Sequence, residues 1–311
     1  MNDRPIFIGG LDRSGKTILR LALSAHPNLA LTRRTYMWPR FYQRFGDLAK
    51  KDNFERCLSA MLKQKTIRQF MPDEKRIRQE FAQGEPSYAL LFALFHRQFA
   101  EKIGKQRWGE QAGLIEKYTP AILDAFPAAR IVHMVRDPRN RSEEILNSAP
   151  PAMRAGKIGP LTSSWLFSAR LAHQYQSGYP QNYKVVNYER LLSQPQETLI
   201  DICAFIGEEF IPEMLTFENS VFFGESGNGL VNHQSLWEQD VIHFDMSNQK
   251  SLSPGEVVFL QAHAQKEMEF FGYQPMQIEV SFMKSMRLFF EWPVSKARMA
   301  TWHLLEARQF S

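Results

Sequence analysis

The sequence predicts an α/β fold: a central, mainly parallel sheet flanked by helices, with a helical insertion and a C-terminal helical tail. Short apolar runs ended by turn residues, at 5–10, 130–135 and 183–187, read as buried strands. Helical stretches alternate with them, which argues for a parallel sheet covered on both faces. The first helix follows at 16–25, with Ile18, Leu19, Leu21, Ala22 and Leu23 apolar, and His26-Pro27-Asn28 stops it. Residues 39–103 read as mostly helical, with breaks at Met71-Pro72 and Gly84-Glu85-Pro86. Helices at 120–126 and 141–146 bracket the second strand, and one at 195–206 follows the third. Another spans 254–271. In the tail, Phe282, Met283, Met286, Phe289 and Phe290 keep helical spacing, Pro293 interrupts, and Trp302, Leu304 and Leu305 continue it.

A chain of 311 residues fits one large domain at 1–280, with a basic helical insertion at 33–107, followed by an extension at 281–311. Hydrophobic residues at 44% and charged residues at 23% exclude disorder as the default. Two cysteines, Cys57 and Cys203, are too few for a disulfide framework or a cysteine-based zinc site. The apolar run at 88–95 is far short of the roughly 20 residues of a membrane-spanning helix. No targeting pattern precedes the first strand, so a cytoplasmic protein is expected. The net charge of +5 is uneven: residues 33–107 hold 17 Lys and Arg against 8 Asp and Glu. That region is either a solvated helical surface or a site for an anionic partner, and nothing in it specifies nucleic acid.

Gly10-Leu11-Asp12-Arg13-Ser14-Gly15-Lys16-Thr17 matches G-x-x-x-x-G-K-[ST] and lies between a strand and a helix. Amide groups at a helix start, aided by the helix dipole, hold phosphate there. A kinase or NTPase would place Lys16 on the terminal phosphates, Thr17 on Mg²⁺ and Asp137 behind the metal. Arg136 sits beside that acid, where a cation competes with Mg²⁺.

The same loop, followed by His26-Pro27, resembles the 5′-phosphosulfate loop of sulfotransferases that use 3′-phosphoadenosine 5′-phosphosulfate (PAPS), departing at Lys16 where the family usually has Thr. The run from Phe126 through Arg136-Asp137-Pro138-Arg139 is similar to the family's 3′-phosphate strand and turn. Val186-Asn187-Tyr188-Glu189-Arg190-Leu191, with Pro195, Thr198 and Phe205-Ile206-Gly207, is similar to its Y-E-D-L block. Leu252-Ser253-Pro254-Gly255-Glu256 with Gly272-Tyr273 resembles its closing helix. The segments occur in family order.

The resemblance implies a P-loop-like sulfotransferase fold and metal-independent, in-line transfer from PAPS to a hydroxyl or amine of a glycan, glycolipid or small metabolite. It makes Arg13 the cation on the phosphosulfate, with Gly10, Ser14, Gly15 and Thr17 completing the cradle; Lys16, the departure from the family pattern, is expected to add a second cation on the leaving phosphate. Arg136 takes the 3′-phosphate and Tyr188 lies near adenine. The family's serine eight residues beyond that arginine is Glu144 here, which leaves Ser142 as a substitute. The glycine-rich segment at 224–235 corresponds to a lid, with Asn232, His233 and Ser235 as candidate contacts. For the base, Glu110 is the first choice and His133 or His233 the second; no acid stands at 31–36. The histidine spacing supports no metal site. Tyr36, Trp38, Phe41, Tyr42, Phe45 and Trp108 form either an acceptor-stacking wall or core. The tail lies on an anionic membrane, docks on the core, or joins a homodimer. An ATP-using P-loop enzyme and a non-catalytic relative are the alternatives.

Overall fold

The computed structural model describes residues 3–217, 250–278, 292–302 and 304. Its centre is a five-stranded, all-parallel sheet, ordered β2-β3-β1-β4-β5. The strands are β1 (Ile6–Gly10), β2 (Leu29–Thr32), β3 (Arg107–Gln111), β4 (Arg130–Val135) and β5 (Tyr183–Asn187). Helix α1 (Lys16–Ala25) links β1 to β2. The link from β2 to β3 holds α2 (Met37–Phe41), α3 (Lys51–Leu62), α4 (Lys65–Arg68), α5 (Glu74–Gln83) and α6 (Tyr88–Lys102). Then come α7 (Thr119–Ala125) before β4, and α8 (Pro138–Ser148) and α9 (Ile158–Gly178) before β5. The described elements end with α10 (Tyr188–Ser193), α11 (Pro195–Ile206), α12 (Glu213–Thr216), α13 (Pro254–Phe270) and a helix over 292–302.

Alternation along the buried strands divides the core into two layers. Ile6, Ile8, Val132 and Met134 pack with Leu19, Leu23, Leu199 and Ile202 on one face. Phe7 and Ile131 join Phe92, Phe95, Trp108 and Phe126 on the other. The connection after β1 runs toward β2 and that after β4 toward β5, so the crevice between the carboxyl ends of β1 and β4 is the topological switch point where open α/β sheets take ligands.

Two strands and the longest helix are absent from the sequence reading. Strand β3 reads Arg-Trp-Gly-Glu-Gln, in which Trp108 alone favours a strand. It forms because β1 and β2 hold it on both edges, with Ile8 opposite Gln111 and Thr32 opposite Glu110. Helix α9 carries Gly159, Pro160 and several serines, poor helix formers that are accommodated by burial. Thr162 and Ser164 return their hydroxyl groups to its own backbone carbonyls.

The aromatic residues of the insertion are mostly core. Trp38, Phe41 and Trp108 are buried, and Trp38 packs on Tyr42, Tyr88 and Phe92. The basic surface is partly neutralised by its own acids: Arg76 pairs with Glu80 and Glu101, and Arg78 with Glu55 and Glu74. The described part of the tail docks on the body. Trp292 packs on Phe259 and His263, Trp302 on Phe167, and Ser163 donates to the Met299 carbonyl. No helix among the described residues is long and apolar enough to cross a membrane.

At Gly109 an added Cβ would lie 2.3 Å from the Ile6 carbonyl oxygen and 2.4 Å from a Leu31 methyl group. Gly109→Ala should therefore part β3 from β1 and lower stability by about 1–3 kcal/mol, read as a fall in the urea midpoint.

Candidate functional site

A cleft of about 410 Å³ opens at the switch point, lined by Asp12, Arg13, Gly15, Lys16, Thr17, Ile18, Leu21, Arg34, Gln111, Arg136, Glu144 and Tyr188. The loop after β1 forms its floor. Arg13 and Gly15 both take left-handed backbone conformations, with φ of 67° and 88°. Gly15 is the N-cap of α1 and no side chain caps that helix, so the first-turn amides of Lys16 and Thr17 lack a capping acceptor. A Cβ at Gly15 would lie 2.1 Å from the Tyr188 ring, so the loop can sit against that ring only as glycine.

Arg136, at the end of β4, closes the cleft from the other side. Its guanidinium lies 4.6 Å from the Tyr188 ring centroid and donates to the Arg13 carbonyl at 2.9 Å. Glu144 bridges the two loops: one oxygen pairs with Arg13 at 3.1 Å and the other with Arg136. One carboxylate thus holds together the two arginines that the family resemblance singles out.

Several partners place Arg136 without lining the cleft. Trp165 on α9 donates its indole N–H to the Arg136 carbonyl at 2.9 Å. Asp137 caps α8 by accepting from the Arg139 amide, and it grips the Arg139 guanidinium with both oxygens at 2.7–3.3 Å. Its own amide donates to Glu189. The acid that would stand behind Mg²⁺ in a kinase is therefore buried and occupied. Among the described residues no group of three or more His, Cys, Asp or Glu side chains is placed to hold a metal.

Lys16 is buried at the floor of the cleft. It turns back to donate to the Gly10 carbonyl and lies 3.7 Å from Asp12. Burial lowers its pKa; Asp12 and Glu116 oppose that shift, while Arg34 and Arg141 add to it. Arg141 was not picked out in the sequence. It reaches under the loop to donate to the Asp12 carbonyl at 2.9 Å, and burial brings its pKa down to about 10. Arg34 pairs with Asp12 at 2.5 Å, and Arg34 and Arg40 both lie over the Tyr36 ring, at 5.4 and 4.9 Å. Of the sequence candidates, Arg13, Gly15, Lys16, Thr17, Arg136 and Tyr188 meet in the cleft. Gly10, the last residue of β1, and Ser14 lie behind them, and the Ser14 hydroxyl is turned onto the Leu11 carbonyl at 2.6 Å.

Glu110 and Ser142 are not brought in. Glu110 is on the face of β3 opposite Gln111, buried, and accepts from the Thr35 amide and hydroxyl at 2.5 and 2.8 Å. Its other oxygen faces His96 at 3.6 Å. Ser142 is buried because positions two apart on a helix point about 200° apart, so α8 turns it inward as it turns Glu144 to the cleft. His133 is buried beneath the loop, bonded to Tyr183 and Ser168. His233 and the remainder of 224–235, Asn232 and Ser235 included, lie outside the described residues.

A family model described as "Sulfotransferase family" matches residues 5–212. The chain belongs to the sulfotransferase family. Sulfuryl transfer is its reaction class. Among solved structures, a sulfotransferase domain from the curacin biosynthetic pathway superposes with a TM-score of 0.52 at 18% identity, covering 88% of this chain and 99% of that one. The sulfotransferase STF9 of Mycobacterium avium gives 0.51 at 14% identity, with 89% and 79% covered. Both similarities show the shared fold. No curated protein matches the sequence significantly.

Glu144→Ser should tighten binding of adenosine 3′,5′-bisphosphate (PAP) about tenfold at low salt, because the ligand no longer displaces a carboxylate from two arginines. Titration calorimetry reads this directly. Glu110→Ala should leave PAP binding in place and cost about 1–3 kcal/mol of stability, because the buried Thr35 amide loses its acceptor.

Proposed function

We propose that this sulfotransferase moves a sulfuryl group in line from PAPS to a hydroxyl or amine of a small-molecule, glycan or glycolipid acceptor. The observation that carries the reading is the meeting of Arg13 and Arg136 across one cleft, with the loop amides between them and Tyr188 beneath. Two cations meeting in one cleft suit a ligand with more than one anionic group, and a guanidinium suits a phosphate dianion.

In this reading the donor's 5′ end lies on the first-turn amides of α1, and Arg13 supplies positive charge where the leaving phosphate gains it. Lys16 adds a second cation once an anion draws its ammonium away from the Gly10 carbonyl. Arg136, steadied by Tyr188 and Trp165, takes the 3′-phosphate and releases Glu144. No metal partner is called for at the end of β4, because Asp137 is committed to Arg139. The acceptor enters past Arg34, Tyr36 and Arg40, so the insertion supplies the acceptor side.

Thermal shift against PAP, AMP and ATP tests the reading at little cost. PAP should stabilise the protein most, and Arg136→Ala should erase the advantage of PAP over AMP; equal shifts for all three with the native protein would overturn it. The lowered pKa of Lys16 gives a pH signature. An anion binds the protonated lysine best, so PAP affinity is full below that pKa and falls as pH rises through it. Lys16→Arg should keep affinity level to higher pH in the same titrations.

A further inference from the structure

We propose that Asp12 is the base that removes the acceptor's proton and that Arg34 aims it, an assignment that rests on the sulfotransferase reading above. Two carboxylates are found among the described cleft-lining residues, Asp12 and Glu144. Both oxygens of Glu144 are engaged, one by Arg13 and one by Arg136. Asp12 is different: its side chain is 63% exposed, and Arg34 and Lys16 approach only its Oδ1, at 2.5 and 3.7 Å. The second oxygen, Oδ2, has no partner among the described residues.

The position of Asp12 matters as much as its freedom. Lys16 belongs to the donor's side of the cleft, and Arg34 follows β2 on the acceptor's side. Asp12 stands between them, one residue before the Arg13 that contacts the phosphosulfate. An acceptor hydroxyl approaching the sulfur from the Arg34 side arrives at Oδ2. Arg141 fixes the loop from below through the Asp12 carbonyl.

The step balances without a further reagent. The acceptor oxygen forms its bond to sulfur, and the bond from sulfur to the bridging phosphate oxygen breaks. The electron pair leaves on PAP, and the acceptor's proton passes to Oδ2. Partial desolvation against the loop acts to raise the Asp12 pKa, but the cations facing it, Lys16 on α1, Arg34 after β2 and Arg141 on α8, outweigh that and hold it below the usual value. A weak base is enough here, since a hydroxyl becomes strongly acidic as its oxygen bonds to sulfur.

The test uses labelled PAPS and a series of simple acceptors from alkyl alcohols to 4-nitrophenol, with the native protein, Asp12→Asn and Arg34→Ala. Asp12→Asn should slow transfer to an alcohol by about 100-fold or more, and should affect 4-nitrophenol little because it ionises unaided. PAP should still raise its melting temperature. The acid limb of the native pH profile should vanish in Asp12→Asn and move to higher pH in Arg34→Ala, where a cation beside the carboxylate is gone. Equal losses across the acceptor series, or an Asp12→Asn rate with alcohols equal to the native rate, would overturn the assignment. Failure of the native protein to bind PAP at all would instead remove the sulfotransferase reading.

Discussion

The site depends on one guanidinium. Arg136 leaves the end of β4, stacks on Tyr188 from the start of α10, donates to the backbone of the loop after β1, and pairs with Glu144 on α8. Three parts of the chain far apart in sequence, the loop after β1, the turn from β4 into α8 and the start of α10, meet on that one planar group, which suits several partners at fixed angles. A lysine there would supply the charge but neither the flat stacking face nor the fork of donors. The order of the parallel sheet makes the meeting possible, since β1 and β4 are neighbours whose connections depart in opposite directions.

Around that group, polar residues hold backbone in place. Asp137 and Arg139 form a buried pair that fixes the turn before α8, and Glu189 ties the same turn to α10 and to Tyr273. Glu110 does similar work for the segment that carries Tyr36, a residue held at a φ of 59°. Left-handed conformations at residues other than glycine cost energy and persist only where neighbours enforce them. Here Glu110 bonds to Thr35 on one side of Tyr36, and the guanidiniums of Arg34 and Arg40 lie over its ring.

Much of this was legible in the sequence because it is local. The loop Gly10 to Thr17 announces itself by glycine spacing, and β1, β4 and β5 are short apolar runs with clear ends. The Arg136-Asp137-Pro138-Arg139 turn and Tyr188 came from the resemblance to the sulfotransferase family, whose segments occur here in the same order. What was not legible depends on neighbours. Strand β3 is a strand because two others flank it, and the same fact inverts Glu110: as a loop residue it reads as a base, and as a strand residue it faces away from Gln111 and the cleft. Helix α9 stays hidden because its serines and glycine are poor helix formers, and what holds it is contacts from distant parts of the chain, such as Trp165 to Arg136. Arg141 and Asp12 drew no attention as a base or loop support, since the loop motif treats Asp12 as a free position.

The Glu144 bridge has a consequence for what the cleft ignores. A pair of open arginines beside uncapped helix amides would collect any free phosphate or sulfate. With a tethered carboxylate already on both, a small free anion must displace a group whose effective concentration is set by the helix that carries it. It gains only a like-for-like exchange of ion pairs. A ligand profits only if it reaches both arginines and the loop amides as well, so the threshold for entry is set by length and by the number of anionic ends. On the reading proposed above, selectivity against common ions would come from an internal competitor, without a narrower opening.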